Sequence, residues 1–594
     1  MSIFAFDDHQ AIGQVRSVET SRITVRVTDG ERLQRARVGR LVAIQSTGDE
    51  WLIGIIERVW RHPVDMPSLG DNEFGDDEPI LPEEENGVAI SLVGTYRERD
   101  GIARDTFTRA IFSLPEINRP VFPIEEKSLE DFMGILSASS KSSAAAPLKV
   151  GTYTLDGKAT AYIDGDKLFQ RHAALLGSTG SGKSYTVSAI LEQASQLDHA
   201  NVILLDLHGE YSSLKFASHY RIAGIGDLAV EKPGAIFLPF WLLTYDEMQS
   251  VFVDRSGENA PNQALALMDS VNEMKKKSIM ALGKTDLLEG FTIDTPVPYL
   301  LSDLVAALDD KNDETFDTGE TYASGPRKGL SKTEKGPLNG KLSRFLIRLK
   351  TKMADRRYGF MYQAPPTYQS YDALHVLALK LLGTVKAADG TMTGIKVIDF
   401  SEVPSDLLPV VIGLVGRLVY QIQFWSDPGA DGDSRHPVSI VCDEAHLYLP
   451  NQSSAAGPME RRALETFERI AKEGRKYGVG LFVVSQRPSD VSTTILSQCS
   501  NIISLRLANK TDQSVVKQLL PESLEGLMEV LPTLDIGEAV VVGDATLLPT
   551  RIRMGRPTYP PRSATIPFWQ RWCEPKVAVD LVQAVENMRF QTRG

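Results

Sequence analysis

The clearest chemistry in this 594-residue chain lies between positions 177 and 184. Gly177, Ser178, Thr179, Gly180, Ser181, Gly182, Lys183 and Ser184 satisfy the pattern GxxxxGKS/T at every fixed position. Glycines at this spacing let backbone N–H groups curl around phosphate oxygens, and the start of the following helix adds the positive end of its dipole. Lys183 would reach the β- and γ-phosphates of ATP, and the Ser184 hydroxyl would serve Mg²⁺. Tyr185 follows directly and joins the nucleotide-binding set. The alternative, a fortuitous Gly-rich turn, fits poorly with the apolar AALL before the loop and the apolar-periodic helix after it.

Acids supply the second half of the chemistry. VSIVCDEAH (438–446) is an apolar strand ending in Asp443 and Glu444. Asp443 would hold the Mg²⁺ shell, and Glu444 would polarise the attacking water as general base. The bland reading is a strand end capped by acids. DLHGEY (206–211) offers Asp206, His208 and Glu210 at the tip of another apolar strand. Asp206 or Glu210 could orient water or Mg²⁺, whereas a structural hydrogen bond suits His208 better. The letters DEAH also name a group of RNA helicases, but those need a QRxGR-type motif, and Gln486-Arg487-Pro488 departs from it.

Composition bounds the setting. A hydrophobic share of 42% and a charged share of 24% are those of a folded globular chain of two to four domains. The net charge of −13 argues against a uniformly basic surface, without excluding basic residues gathered in one place. Cys442, Cys499 and Cys573 form no CxxC pair, so neither a zinc ribbon nor a disulfide framework is indicated and a reducing cytoplasm is the expected setting. The N-terminus lacks the pattern of a signal peptide. The most apolar stretch, 407–420, contains Arg417 and falls short of the about 20 residues of a membrane span.

The elements that must position these residues follow from periodicity. Residues 10–62 read as short strands separated by turns at 29–30 and 47–50, which predicts a small β-barrel. An acidic, Pro-rich loop (71–86) and a small-residue linker (137–147) follow. From 148, strands alternate with helices, as in a mostly parallel α/β sheet. The charged, helical stretch 246–370, without strand runs, reads as an insertion. The expected division is a barrel with linker (1–147), an ATPase core in two parts (148–245 and 371–556), the insertion between them, and a tail (557–594).

With these motifs in hand, the sequence resembles the HerA branch of the HerA/FtsK superfamily. The similarity is carried by GSTGSGKS (177–184), DLHGEY (206–211), VCDEAH (441–446), EGRKYGVGLFVVSQRPSDV (473–491) and SQCSNIISLRLAN (497–509), in order, with the barrel ahead of them. The resemblance implies an α/β, RecA-like phosphate-loop core with an N-terminal small β-barrel and a helical insertion, forming a ring. It implies that Gln486 is a sensor touching the γ-phosphate or the water. It implies that Arg475 is an arginine finger reaching the nucleotide of the next subunit, beside Lys476. Arg171 matches a basic position near the nucleotide. A homohexamer around a channel follows, with the tail on the neighbouring subunit; no membrane partner is expected, because no apolar stretch reaches the length of a span.

The same resemblance implies an ATP-driven motor on double-stranded DNA that serves a separately encoded effector, a nuclease in end processing or a sirtuin-like NADase in anti-phage defence. A nucleotide-gated scaffold is the alternative, and a conjugation-type membrane pump is disfavoured by the barrel. From Arg327 to Arg357 eleven basic residues face two acids. Arg327, Lys328, Lys332 and Lys335 are therefore candidates for tracking phosphates without reading sequence, as are Arg506 and Lys510 in the core. A solvated helix face or a basic patch on an acidic partner explains the same stretch.

Overall fold

The computed structural model describes residues 3–63, 84–98, 106–139, 147–228, 232–253, 257–321, 326, 331–429, 435–451, 457–519, 528–546, 548–563, 566–573 and 580–590. The chain divides into two compact units, Met1–Leu197 with Gly480–Pro560 and Asp198–Val479 with Pro561–Gly594. Most of the acidic loop, most of the small-residue linker, and Arg327 and Lys328 fall outside the described residues.

The first unit opens with β1 (Gly13–Val18), β2 (Arg22–Val27), β3 (Leu41–Thr47), β4 (Glu50–Pro63), β5 (Glu84–Arg97), β6 (Thr106–Thr108) and β7 (Pro120–Pro123). The order is β2-β1-β7-β3-β4-β5, and β2 pairs back onto β5, so six strands close into a barrel with β6 alongside β5. Alternation along each strand turns Val15, Val25, Ile44, Ile56 and Ile90 into a sealed core. Two register shifts in the long β4–β5 pair bend it around that core. Gly54 sits at one of them, where a Cβ would lie 2.4 Å from Ile90 Cγ2. Residues 29–30 do not form a hairpin turn: Asp29 caps the short helix Gly30–Arg35 by accepting the Glu31 N–H.

The remaining strands are β8 (Leu148–Tyr153), β9 (Asp156–Ile163), β10 (Ala173–Leu176), β11 (Asn201–Asp206), β12 (Ser218–Ile222), β13 (Ala235–Ile236), β14 (Thr315–Thr321), β15 (Ser331–Lys335), β16 (Val385–Lys386), β17 (Met392–Asp399), β18 (Val438–Cys442), β19 (Val479–Ser485), β20 (Asn501–Ser504), β21 (Glu538–Gly543) and β22 (Thr550–Met554). In the first unit β10 lies between β19 and β20, parallel to both. Beyond β20 the run β21-β22-β8-β9 is antiparallel throughout. The mostly parallel expectation therefore holds around the phosphate loop and fails at this edge, where β9 and β22 alternate buried and exposed residues as one-sided antiparallel strands do. In the second unit the order β13-β12-β17-β11-β18 is parallel, with β16 antiparallel on β17.

Helix α1 (Lys183–Ala194) follows the phosphate loop; α2 (Tyr245–Phe252), α3 (Ala260–Ala281), α4 (Leu301–Asp313) and α5 (Ser343–Ala354) populate the insertion. The reading of that stretch as free of strands needs correction. β14 and β15 form an antiparallel hairpin whose first strand is exposed along its whole length. TFDTGET has no apolar face, so no alternation betrayed it.

Helix α6 (Leu408–Trp425) is long and apolar enough to cross a membrane by length and composition, yet 67% of it is buried inside the protein. It packs on α7 (Pro458–Glu473) through Gly413 and Gly416, where a Cβ would come within 3.0 Å of Ala463 Cα and 2.9 Å of Phe467 Cζ. Its one cation, Arg417, pairs with Glu247 of α2 at 2.9 Å. These contacts mark α6 as a core helix. The chain ends in α8 (Phe568–Cys573) and α9 (Leu581–Phe590), neither of which buries a residue.

Candidate nucleotide site

The phosphate loop hangs from the end of β10. Its first residues are tied to the flanking strands: the Gly177 N–H donates to Ser485 O at 3.2 Å, and the Ser178 N–H and hydroxyl both donate to Arg506 O at 2.9 and 2.8 Å. Gly180 and Gly182 take φ of +74° and +105°, a region closed to most side chains, and this curls the loop. The Lys183 ammonium is buried and donates to the carbonyls of Gly177 and Ser178 at 3.0 and 3.4 Å. It thus spans the mouth of its own loop, where phosphate oxygens would replace the carbonyls. The buried Ser181 hydroxyl has no hydrogen-bond partner among the described residues. A cradle of glycine turns, a spanning cation and an unmet polar group fits a polyphosphate.

Gln486 belongs to this assembly. The Thr179 hydroxyl donates to its Oε1 at 2.6 Å, so the end of β19 and the phosphate loop are already in contact. Tyr185 is 38% exposed. Arg171 is placed differently from the expectation. It precedes β10, so about 13 Å of strand separates it from the loop, and it is engaged in an ion pair with Asp544. Arg506 contributes its carbonyl to the wall of the phosphate loop, which sets it beside the nucleotide cradle. Lys510 opens the helix Lys510–Gln518 behind the cap Asn509.

Asp544 sits in a turn that the barrel also grips. Arg109, just past β6, donates to the carbonyls of Gly543 and Thr546 at 2.6 and 2.5 Å. The motif reading did not flag Arg109 or Asp544. Lone charges in apolar surroundings are visible in sequence, but their pairing across 435 positions is not.

The acid half lies in the second unit. Asp443 directly follows β18 and is only 4% exposed. Burial, reinforced by the charges of Glu444, Glu210 and Asp206, pushes its carboxyl well above the ordinary carboxylate range. Such crowding of acids calls for a cation. Among the described residues no group of three or more His, Cys, Asp or Glu side chains encloses a metal. Mg²⁺ takes one or two protein ligands and completes its shell with water and phosphate. Glu444 has φ of +46°, rare for a residue with a side chain, and its Oε2 lies 3.3 Å from His446 Nδ1. Strain of this kind is found where a side chain must be aimed.

Asp206 has a different task from the one expected. Its Oδ1 accepts the N–H groups of His208, Gly209 and Glu210, and its Oδ2 that of Tyr211. The carboxylate is committed to folding the DLHGEY turn that carries Glu210. Arg475 sits in the turn Gly474–Tyr477, exposed, and among the described residues no carboxylate pairs with it. Lys332 pairs with Glu320 across the β14–β15 hairpin at 2.9 Å, and Lys335 is exposed at its end.

The family described as Helicase HerA, central domain, matches residues 148–419, and Helicase HerA-like C-terminal matches 424–588. The chain belongs to the HerA family. The probable helicase MJ1565 of Methanocaldococcus jannaschii is 24% identical over 413 residues, 69% of this chain and 67% of the relative. The DNA double-strand break repair helicase HerA of Pyrococcus furiosus is 27% identical over 432 residues, 68% of this chain and 69% of the relative. Among solved structures, VirB4 of Thermoanaerobacter pseudethanolicus is 18% identical and covers 70% of this chain and 98% of that one, with a TM-score of 0.44. The HerA match runs beyond the motifs to residue 588 and leaves the barrel ahead of it. This HerA chain is an ATP-hydrolysing phosphate-loop enzyme of the helicase and translocase superfamily.

The buried charge of Asp443 has a measurable cost. The folded carboxyl keeps its proton to higher pH than the unfolded one, so the cost is absent below pH about 4 and develops as pH rises. At neutral pH Asp443→Asn is expected to raise the melting temperature of the nucleotide-free protein by about 2 °C or more. The same variant should lose the extra stabilisation that Mg²⁺ adds to ATP binding. Thermal melts at pH 4 and 7.5 check both; an unchanged or lowered melting temperature at pH 7.5 contradicts the account.

Proposed function

We propose that the chain is an ATP-driven double-stranded DNA translocase or helicase that works as a ring of six copies. The observation that carries this reading is the unbroken set of catalytic groups, Lys183, Ser184, Asp443 and Glu444, in a HerA-family chain. Lys183 holds the β- and γ-phosphates, and Ser184 and Asp443 serve Mg²⁺. Glu444 takes the proton of the attacking water, and Gln486 senses the γ-phosphate from its place on Thr179. Bound Mg²⁺ supplies charge neutralisation on the phosphates. Arg475, exposed and without a carboxylate partner among the described residues, completes the nucleotide site of the next copy. Support for a ring also comes from the tail, where Phe568, Trp569 and Trp572 are 61%, 79% and 72% exposed and suit a neighbouring copy.

Duplex contact falls to cations without sequence readout: half-buried Lys332 and exposed Lys335 on the hairpin, and exposed Lys510 in the core. A separately encoded effector, a nuclease or a sirtuin-like NADase, docks on the barrel, where Phe112 and Ile117 are 61% and 54% exposed. End processing and anti-phage defence are the two settings such a pair serves. That same barrel surface favours a second reading, in which the ring is a nucleotide-gated scaffold that activates its effector without moving along DNA.

ATP hydrolysis with and without linear duplex separates the two. A motor is stimulated several-fold, and the stimulation falls steeply between 50 and 200 mM salt, by about 10³ or more in affinity if six or more phosphates are contacted. Hydrolysis indifferent to duplex at low salt removes the motor reading and leaves the scaffold.

A further inference from the structure

We propose that the segment Asp535–Gly537 is the base platform of the nucleotide site, with Ile536 and Tyr185 as apolar walls that take the faces of a purine ring. The inference rests on residues 177–184 being the triphosphate cradle. The Gly537 N–H donates to Ser181 O at 3.0 Å, inside the phosphate loop. Gly182 approaches so closely that a Cβ on it would lie 3.4 Å from Gly537 N. Met554 holds the other side of the segment, its N–H on Gly537 O at 2.8 Å. The segment is therefore bolted to the cradle, and the residue next to the bolt is Ile536, 60% exposed. Tyr185, one residue past the Mg²⁺-binding Ser184, offers a second apolar surface beside the same loop.

The acids flanking Ile536 are committed to other partners, Asp535 at the surface and Glu538 buried. Asp535 accepts the Ile536 N–H at 2.8 Å and pairs with Arg553 at 3.3 Å. Glu538 is buried and bonded to Arg551 and Arg553 at 2.7 and 3.0 Å. What Ile536 and Tyr185 offer a base is thus apolar surface, the neighbouring carboxylates being engaged by Arg551, Arg553 and a backbone N–H. Rings stack on such surfaces whatever their exocyclic groups, whereas discrimination between bases needs polar groups that one base leaves unpaired. The ligand class is a purine nucleoside triphosphate, adenine and guanine alike.

The test measures binding of Mg²⁺-ATP, Mg²⁺-GTP and inorganic tripolyphosphate to the full chain and to its Ile536→Asp and Ile536→Leu variants. ATP and GTP affinities of the parent chain should agree within about threefold, and Ile536→Asp should weaken both by about tenfold or more. Tripolyphosphate affinity should stay unchanged in that variant, and Ile536→Leu should restore nucleotide binding. Three results overturn the platform: unaltered nucleotide affinity in Ile536→Asp, an equal loss for tripolyphosphate, or a parent chain that prefers ATP over GTP by more than about tenfold. A parent chain that binds none of the three ligands instead removes the cradle reading on which the platform stands.

Discussion

Glu444→Gln is expected to reduce ATP turnover by about 10²–10⁴-fold while leaving nucleotide affinity within a factor of a few. The glutamine keeps the size of the side chain and can still contact His446, 3.3 Å away in the parent. It loses only the ability to accept a proton from water. The left-handed backbone at this position is a property of the VCDEAH turn, and the exchange does not alter it. Binding should also survive because the groups that grip the triphosphate belong to the phosphate loop. Turnover at saturating ATP, measured beside equilibrium binding of ATP, checks both halves. If turnover stays within about threefold of the parent, the base is another acid. Glu210 is then the first alternative, since the turn that carries it is already fixed by Asp206 and its charge acts on Asp443.

The second large effect concerns Arg475. Its removal should cost about 10³-fold or more in turnover, the range for an arginine that neutralises charge developing on the transferred phosphoryl group. Arg475→Lys should recover little, because a lysine lacks the planar fork that pairs with two phosphate oxygens. Lys476→Ala should remain close to the parent. The decisive form of the experiment mixes two inactive proteins, Arg475→Ala and Glu444→Gln, under conditions that let copies exchange. A finger acting on the next copy gives mixed rings in which some interfaces join an intact Arg475 to an intact Glu444, so activity reappears. If mixing restores nothing although exchange is demonstrated, the finger acts within its own chain or Arg475 is not the finger.

The parts of this site that were legible in the sequence are local. The phosphate loop is a contiguous pattern whose glycines are demanded by positive φ at Gly180 and Gly182, and the barrel announces itself through alternation in strands such as ITVRV. Asp443 and Glu444 are visible because an apolar strand runs directly into two acids. What could not be read depends on distant pairing. Asp206 looks like a ligand in sequence, and only the folded turn shows its two oxygens consumed by four N–H groups. Arg171 looks close to the phosphate loop along the chain, yet the strand between them carries it to the other end. The antiparallel edge escaped because β8 and β9 precede the phosphate loop by 20 residues or so, but pair with β22 far downstream. The β14–β15 hairpin escaped because it has no buried face at all.

The grip of Arg109 on the turn after β21 makes the barrel more than an attachment. A chain trimmed to begin near residue 148 would keep every motif in the phosphate loop. It would also strip the carbonyls of Gly543 and Thr546 of their donor and leave Arg171 alone with Asp544. A minimal motor cut by family boundaries would therefore differ from the natural one around the Arg171–Asp544 ion pair. Activity lost in such a fragment would report first on the lost brace at the Gly543–Thr546 turn.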